Sequence, residues 1–494
     1  MKRFLMTTAI ALVPISFANI ALADCDDLSP GNGDTVTCTA TDVFDGPDAI
    51  ETREIDDGSK NVTVNVEAGA SIDTTASGED AIKLKDTGST INNSGTIAGG
   101  DEAIVGGDGM TVVNSGQISA VDQGIVGETE NDADANSVTV KNSGKIQTSD
   151  RAINVGDGTG LSVENSAGGL IEAQDEGIQG GDNLSVDNAG TISAVEKAVD
   201  ANGDNARITN AATGVIKSSA NEAIETGDFA EITNHGEISG FDDAIQVGEN
   251  AVIVNHGTIA NTQTPADLAA NPSLEAQDAI DIDSGEITNF GEIRSTTNSA
   301  IDFDPGAKSS QIENFGLISG TIAVNTDDAD TQGQEIINAG ALIGTSGTAL
   351  YLGAGQDTLV SLAGSSIIGG ADFGDDNDSM VFSYDFFDTS IGAFGDGGLF
   401  DGGDGEDSIT FLGLLSSDVE VSMENGILLL TALGLSGDTT LRLVSWENFY
   451  FLDGALTYSQ LTAVPLPAGA LLFGSALAGL GLVSRRRSRK SATA

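Results

Sequence analysis

The sequence predicts an all-β fold, a right-handed parallel β-helix (solenoid) with rungs of about 22 residues, and three observations predict it. An Asn-x-Gly-x-Ile element recurs between residues 61 and 350, in full at Asn93, Asn114, Asn142, Asn188, Asn234, Asn255, Asn289 and Asn314, and more loosely at Asn165, Asn210 and Asn338. A small-then-aliphatic pair such as Ala103-Ile104 or Ala244-Ile245, and an alternating stretch such as Ser137-Val138-Thr139-Val140, recur between copies. No stretch sustains a 3.6-residue period, and glycine returns every few residues, which excludes helices.

Residues 1–23 read as a secretory signal peptide. Lys2 and Arg3 precede a mostly apolar run from Phe4 to Ile20, and Ala21-Leu22-Ala23 is a small-x-small cleavage site. A permanent N-terminal anchor fits less well, because the run contains Pro14 and no positive residues follow it. Residues 24–60 are expected to cap the first rung. They contain the only cysteines, Cys25 and Cys38, thirteen apart. In an exported protein such an isolated pair reads as a disulfide, contributing ~3 kcal/mol. Two cysteines cannot hold zinc, and a catalytic thiol would lack a nearby histidine.

Residues 61–350 are the solenoid proper. Three strands of three to five residues cannot bury themselves alone, but stacked rungs protect one another's apolar face. The Asn positions are mostly 21 to 25 residues apart, enough for three strands and three turns. Asparagine tolerates the left-handed backbone of a tight turn, and its amide can bond the next rung, so the eleven positions form an expected internal ladder. Glycine two residues later supplies positive φ or close approach. At ~4.8 Å per rung the ladder would span roughly 50 Å. Two periods are overlong: Glu128–Asn136 is inserted before one strand and Asn261–Gln277 after another. They leave from different turns and read as tolerated loops rather than a shared binding face. Repeats of this kind are similar to those of autotransporter passengers and filamentous-haemagglutinin-type adhesins. The likeness covers about half the chain and speaks for fold more than function. It lacks those families' C-terminal translocating barrel.

Residues 351–463 change character. Leu352–Leu359, Phe373–Met380 and Gly402–Ile409 approximate the calcium-binding nonapeptide Gly-Gly-x-Gly-x-Asp-x-aliphatic. The third matches throughout; the first two lack the first glycine, and the second has Asp376 for the inner one. Calcium needs six to eight oxygens. The resemblance assigns carboxylate ligands to Asp357, Asp378 and Asp407, joined at the third turn by Gly403, Asp404 and Gly405. Calcium is the one cofactor expected. Tandem arrays repeat every nine residues, whereas these aspartates are 21 and 29 apart, which implies lone or partial sites; plain Gly-Asp corners are the alternative. Ser445–Gly454 resembles the strand that ends many calcium-repeat modules, and with Ile427–Leu435 is expected to form a C-terminal β cap.

Residues 464–494 form a tripartite tail: Val464-Pro465-Leu466-Pro467-Ala468, an apolar run to Val483, and Arg485, Arg486, Arg487, Arg489 and Lys490. The run is long enough to span a bilayer, and the basic cluster should stay cytoplasmic. This tail resembles the VPLPA-CTERM class of PEP-CTERM-like sorting signals, whose partner is an exosortase in Gram-negative bacteria. The resemblance implies a transmembrane helix cut near the motif and delivery to the cell surface, outer membrane or extracellular matrix. A permanent single-span anchor is the alternative.

Two basic residues leave with the leader and five with the tail, while neither holds an acid. The remainder has 13 basic against 75 acidic residues, a charge of about −62. Such a field repels nucleic acid and acidic polysaccharide and attracts divalent cations. The favoured reading is therefore a non-enzymatic, adhesin-like surface rod in attachment, biofilm or matrix contact, with a surface glycan or matrix component as partner. A β-helix polysaccharide lyase is one alternative, but such sites need clustered basic residues and the few here are scattered. His235 and His256 share the position after Asn with Phe290 and Phe315, so they read as variable turn residues. A passive acidic calcium-binding matrix protein is the other alternative.

Overall fold

The computed structural model describes residues 24–39, 50–51, 60–306, 308–327, 329–383, 398–433 and 440–463. The leader (1–23) and the whole sorting tail, Val464 to Arg487 and beyond, lie outside the described residues. Among the described residues no helix is long and apolar enough to cross a membrane. Contacts divide the chain into two units, residues 1–194 and 195–494, and each is a parallel β-solenoid.

In the first unit, one rung comprises strands Thr90–Asn93, Thr96–Gly99 and Ile104–Gly106. The next repeats them as Thr111–Asn114, Gln117–Ala120 and Ile125–Gly127. All three strand pairs are parallel and in register, with Asn93 opposite Asn114, Ile97 opposite Ile118 and Ile104 opposite Ile125. These isoleucines are 0% exposed. At ~25 cal/mol per Å² of apolar surface, such columns dominate the stability of each rung. The second unit repeats the plan, for example with Glu231–Asn234, Glu237–Gly240 and Ile245–Val247. Its parallel pairing runs on past residue 350, through Thr358–Ser361, Ser379–Ser383, Ser408–Leu412 and Asn448–Phe451. Antiparallel strands also occur there: Val419–Glu424, Ile427–Ala432 and Thr440–Val444 pair in succession, and Gly454–Thr457 folds back on Asn448–Phe451.

The asparagine ladder is present in both units. In the first, Nδ2 of Asn93, Asn114, Asn142 and Asn165 donates to Oδ1 of the next Asn, ending at Asn188, over 2.8–2.9 Å. In the second, Asn210, Asn234, Asn255, Asn289 and Asn314 do the same, ending at Asn338, each over 2.9 Å. One expectation needs correction. The ladder asparagines close extended strands rather than occupying left-handed turns; among the described residues the left-handed asparagines are Asn61, Asn183, Asn205, Asn250 and Asn425. The glycine two residues on is required by proximity: a Cβ on Gly257 would lie 2.1 Å from the Gly236 carbonyl oxygen of the rung before.

Both insertions are tied down. Lys85 holds Glu128 at 2.9 Å and Asp132 at 3.0 Å, clamping the first. The second contains the short helix Pro265–Ala270, started by a Thr264/Asp267 capping box, is closed on itself by Gln263 Nε2 to the Glu275 carbonyl at 2.9 Å, and is fastened by Thr296 Oγ1 donating to the Gln263 carbonyl at 2.9 Å. Cys25 and Cys38 are disulfide-bonded across the antiparallel pair Asp24–Cys25 and Thr35–Thr39.

Candidate cation-binding column

The three Gly-Asp turns of the second unit stack on one another. Ala354 bridges Asp375, and Asp375 bridges Asp404, in parallel. Gly353, Gly374 and Gly403 have φ of 76°, 80° and 83°. A Cβ on Gly374 would lie 1.6 Å from the Gly353 oxygen, and one on Gly403 1.7 Å from the Gly374 oxygen. Glycine is thus required twice over, by dihedral and by space. The position of the inner glycine is less strict, since Asp376 occupies it at φ 81°.

Each turn delivers its aspartate to the start of a strand. Thr358 is opposite Ser379, Ser379 opposite Ser408, and Ser408 opposite Asn448. The residues one earlier, Asp357, Asp378, Asp407 and Glu447, therefore form a single column. This corrects the expectation of lone sites: aspartates 21 and 29 apart in sequence are nearest neighbours in space, because rungs of unequal length keep the same register. Asp404 stays on the exposed turn instead of joining the column.

The column is wired by backbone donors. The Asp357 N–H donates to Asp378 Oδ1 at 2.8 Å, Asp378 N–H to Asp407 Oδ1 at 2.8 Å, and Asp407 N–H to Glu447 Oε2 at 2.9 Å. The relay continues the other way, with Gln334 N–H to Asp357 Oδ1 at 2.6 Å, Ser310 N–H to Gln334 Oε1 at 3.2 Å, and Gly285 N–H to Ser310 Oγ at 3.1 Å. Gln334 and Glu447 were not readable as members, because neither follows a Gly-Asp turn; their only signal is the place just ahead of the strand.

One oxygen of each aspartate is left over. Asp357, Asp378 and Asp407 are 1%, 2% and 0% exposed, and their Oδ2 atoms have no hydrogen-bond partner. Burial is the main cause that raises these carboxyls, to about 9 for Asp357, about 8 for Asp378 and about 6 for Asp407, against the accepted N–H bonds that lower them. The next acid in the column adds repulsion at each, Asp378 on Asp357, Asp407 on Asp378 and Glu447 on Asp407. The three orphaned, buried oxygens are of the kind a hard cation such as calcium takes, but they sit on successive rungs and do not bring one oxygen each within 4.8 Å of one another, so one ion is not shared by all three. Without a cation, they fit protons. Gly402 leaves room beside Asp407: a Cβ there would lie 2.8 Å from its Oδ2.

A second outward feature is a ring stack. His235, His256, Phe290 and Phe315 lie face to face on successive rungs, with centroids 4.6, 4.7 and 5.0 Å apart and planes within 9°. Phe290 and Phe315 are 48% and 45% exposed. The shared position after Asn thus becomes a four-ring ridge, and the two histidines belong to it.

No family model, curated protein or solved structure matches this chain.

Proposed function

We propose that this chain is an exported, non-catalytic surface protein, adhesin-like, whose solenoid presents a repeated outer face to a surface glycan or matrix component. The observation that carries this reading is the division of labour within each rung. The inward positions are fixed by the isoleucine columns and the Asn ladder, leaving the outward positions free to vary as a contact surface. The ring ridge from His235 to Phe315, with Phe290 and Phe315 about half exposed, is an aromatic strip on that outer face. The tail resembling VPLPA-type signals supports exosortase sorting to the surface or matrix of a Gram-negative cell, with the membrane held only before processing. The proposal includes right-handed winding, a stapled N-terminal cap over residues 24–60 and closure of the other end by the antiparallel strands after Val419.

Calcium is proposed as a stabilising ligand of the Asp357–Asp378–Asp407 column, with Asp407 best provided for because only its turn carries both leading glycines. The orphaned column oxygens also favour a second reading, a passive acidic cation-binding matrix component without a specific partner. A clean deletion strain tests the first: it should lose attachment or aggregation, and chelation of wild-type cells should mimic the loss. Normal attachment and aggregation of the deletion strain would contradict the adhesive reading and leave the passive one.

A further inference from the structure

One outer face of the second unit loses its charge toward the end. The strands that carry the ladder asparagines point successive side chains inward and outward. Outward acids recur in register as far as Glu335, at Glu231, Glu286, Glu313 and Glu335. In the four rungs that follow, the outward positions hold Thr358 and Val360, Ser379 and Val381, Ser408 and Thr410, and Asn448 and Tyr450. The residues between them, Leu359, Met380, Ile409 and Phe449, are fully buried. None of the eight outward residues is charged, in a chain with 75 acidic residues.

The corner beside this face is apolar. The position after each ladder Asn, which holds the ring ridge as far as Phe315, continues by register as Ala339, Leu362, Ser383, Leu412 and Leu452. Leu412 and Leu452 are neighbours: the rings one residue earlier, Phe411 and Phe451, stack at 5.0 Å, and the Leu452 N–H donates to the Leu414 oxygen at 2.8 Å. Leu412 is 51% exposed, Leu452 70% and Tyr450 45%. Half of the large hydrophobic residues exposed among the described residues fall between Leu412 and Tyr458. Asp453, beside Leu452, is turned into its own loop, where it accepts from the Ser416 N–H and hydroxyl, each at 2.8 Å. The exposed acids Asp376 and Glu406 flank the opposite edge, ahead of the strands.

This face ends where the chain passes into the tail. The helix Tyr458–Leu461 is bonded to the last rung, with the Tyr458 N–H donating to the Glu447 oxygen at 2.8 Å. Ala463 is then followed directly by the Val464–Ala468 motif and the apolar run. We propose that the uncharged face and its leucine corner form a lipid-contact surface, with Tyr450, Leu412 and Leu452 resting in the headgroup region of a bilayer while the tail spans it. The proposal rests on the membrane-spanning reading of the tail. Five extended residues reach about 17 Å, comparable with the width of four strands at ~4.8 Å each, so the face can lie against the surface that the tail enters. Leucine buries apolar area there, and tyrosine suits the interface because its ring is apolar and its hydroxyl stays wet. A face without carboxylates also escapes the repulsion that lipid phosphates exert on an acidic chain. Contact of this kind keeps the Val464–Ala468 motif at the bilayer surface.

The test is fluorescence quenching on the full chain, tail included, reconstituted into phosphatidylcholine–phosphatidylethanolamine vesicles that carry a nitroxide lipid at headgroup depth. Leu412→Cys, Leu452→Cys and Val252→Cys each offer one thiol for a fluorescent label, since Cys25 and Cys38 are paired with each other. Val252 is on the same sheet face but among the acidic rungs. The labels at 412 and 452 are expected to lose most of their emission to the nitroxide, and the label at 252 to keep it. A chain that resists alkaline extraction from the vesicles while its labels at 412 and 452 stay bright would overturn the lipid contact and leave the tail reading intact. Release of the chain by alkali would overturn both. Labels at 412 and 452 that are unquenched by lipid yet shielded from aqueous iodide would assign the face to a second copy and so overturn the proposal, as would equal quenching at all three sites.

Discussion

Replacing Asn255 by alanine tests what holds successive rungs together. Asn255 is fully buried. Its Nδ2 donates to Asn289 Oδ1 at 2.9 Å, the Glu292 oxygen at 3.1 Å and the Gly257 oxygen at 3.2 Å. Its Oδ1 accepts from Asn234 Nδ2 at 2.9 Å and the Gly257 N–H at 3.1 Å. At ~1 kcal/mol net for each, losing these bonds would cost about 5 kcal/mol. Two partners are partly rescued: Asn234 Nδ2 keeps the Thr258 oxygen at 3.0 Å, and Asn289 Oδ1 keeps the Gly291 N–H at 3.2 Å. The expected cost is therefore about 3 kcal/mol. In a solenoid each rung contacts only its neighbours, so the damage is local and amide hydrogen exchange is the right assay. Amides of the strands Ala251–Asn255 and Gly285–Asn289 should exchange roughly a hundredfold faster. The control is Val252→Ala, on the same strand but 39% exposed, which should cost no more than about 0.5 kcal/mol. Equal exchange in the two variants would refute the ladder's role.

Two further outcomes are expected. In chelator, the folded Asp357, Asp378 and Asp407 retain protons to about 9, 8 and 6 respectively, whereas an unfolded aspartate releases them near 3.8. Their contribution to stability is complete below that value and is lost as pH rises through about 6 to 9, so the metal-free chain should melt lower at about pH 9 than at about pH 5. Asp378→Asn should flatten that slope, and a melting point that climbs over the same range would count against a proton-holding column. Gly403→Ala places a Cβ 1.7 Å from the Gly374 oxygen at φ 83° and should cost ~2 kcal/mol or more. Limited proteolysis should then cut around the strand Ser408–Leu412, and wild-type resistance would contradict the stacking of these turns.

Periodicity made the rung legible, because an aliphatic column repeats its own signature in sequence. The Asn ladder was readable for the same reason, and the cysteine pair by elimination. Register was not readable where rung length varies. Asp378 and Asp407 are 29 apart in sequence yet bonded through backbone and side chain at 2.8 Å, and nothing in that interval states that the chain returns to the same column. Gln334 and Glu447 were missed because the residue type changes while the position persists. Long-range ion pairs such as Lys85 with Asp132 have no local signature at all.

The most direct measurement of the central claim, a solenoid whose buried carboxylate column is completed by calcium, is thermal unfolding of the full chain by far-UV circular dichroism, with calcium and with chelator. The account expects a β spectrum in both, with a melting point that rises strongly when calcium is present. The same β spectrum melting at one temperature in both conditions would reduce the Gly-Asp turns to plain corners, and a helical or disordered spectrum would contradict the solenoid itself.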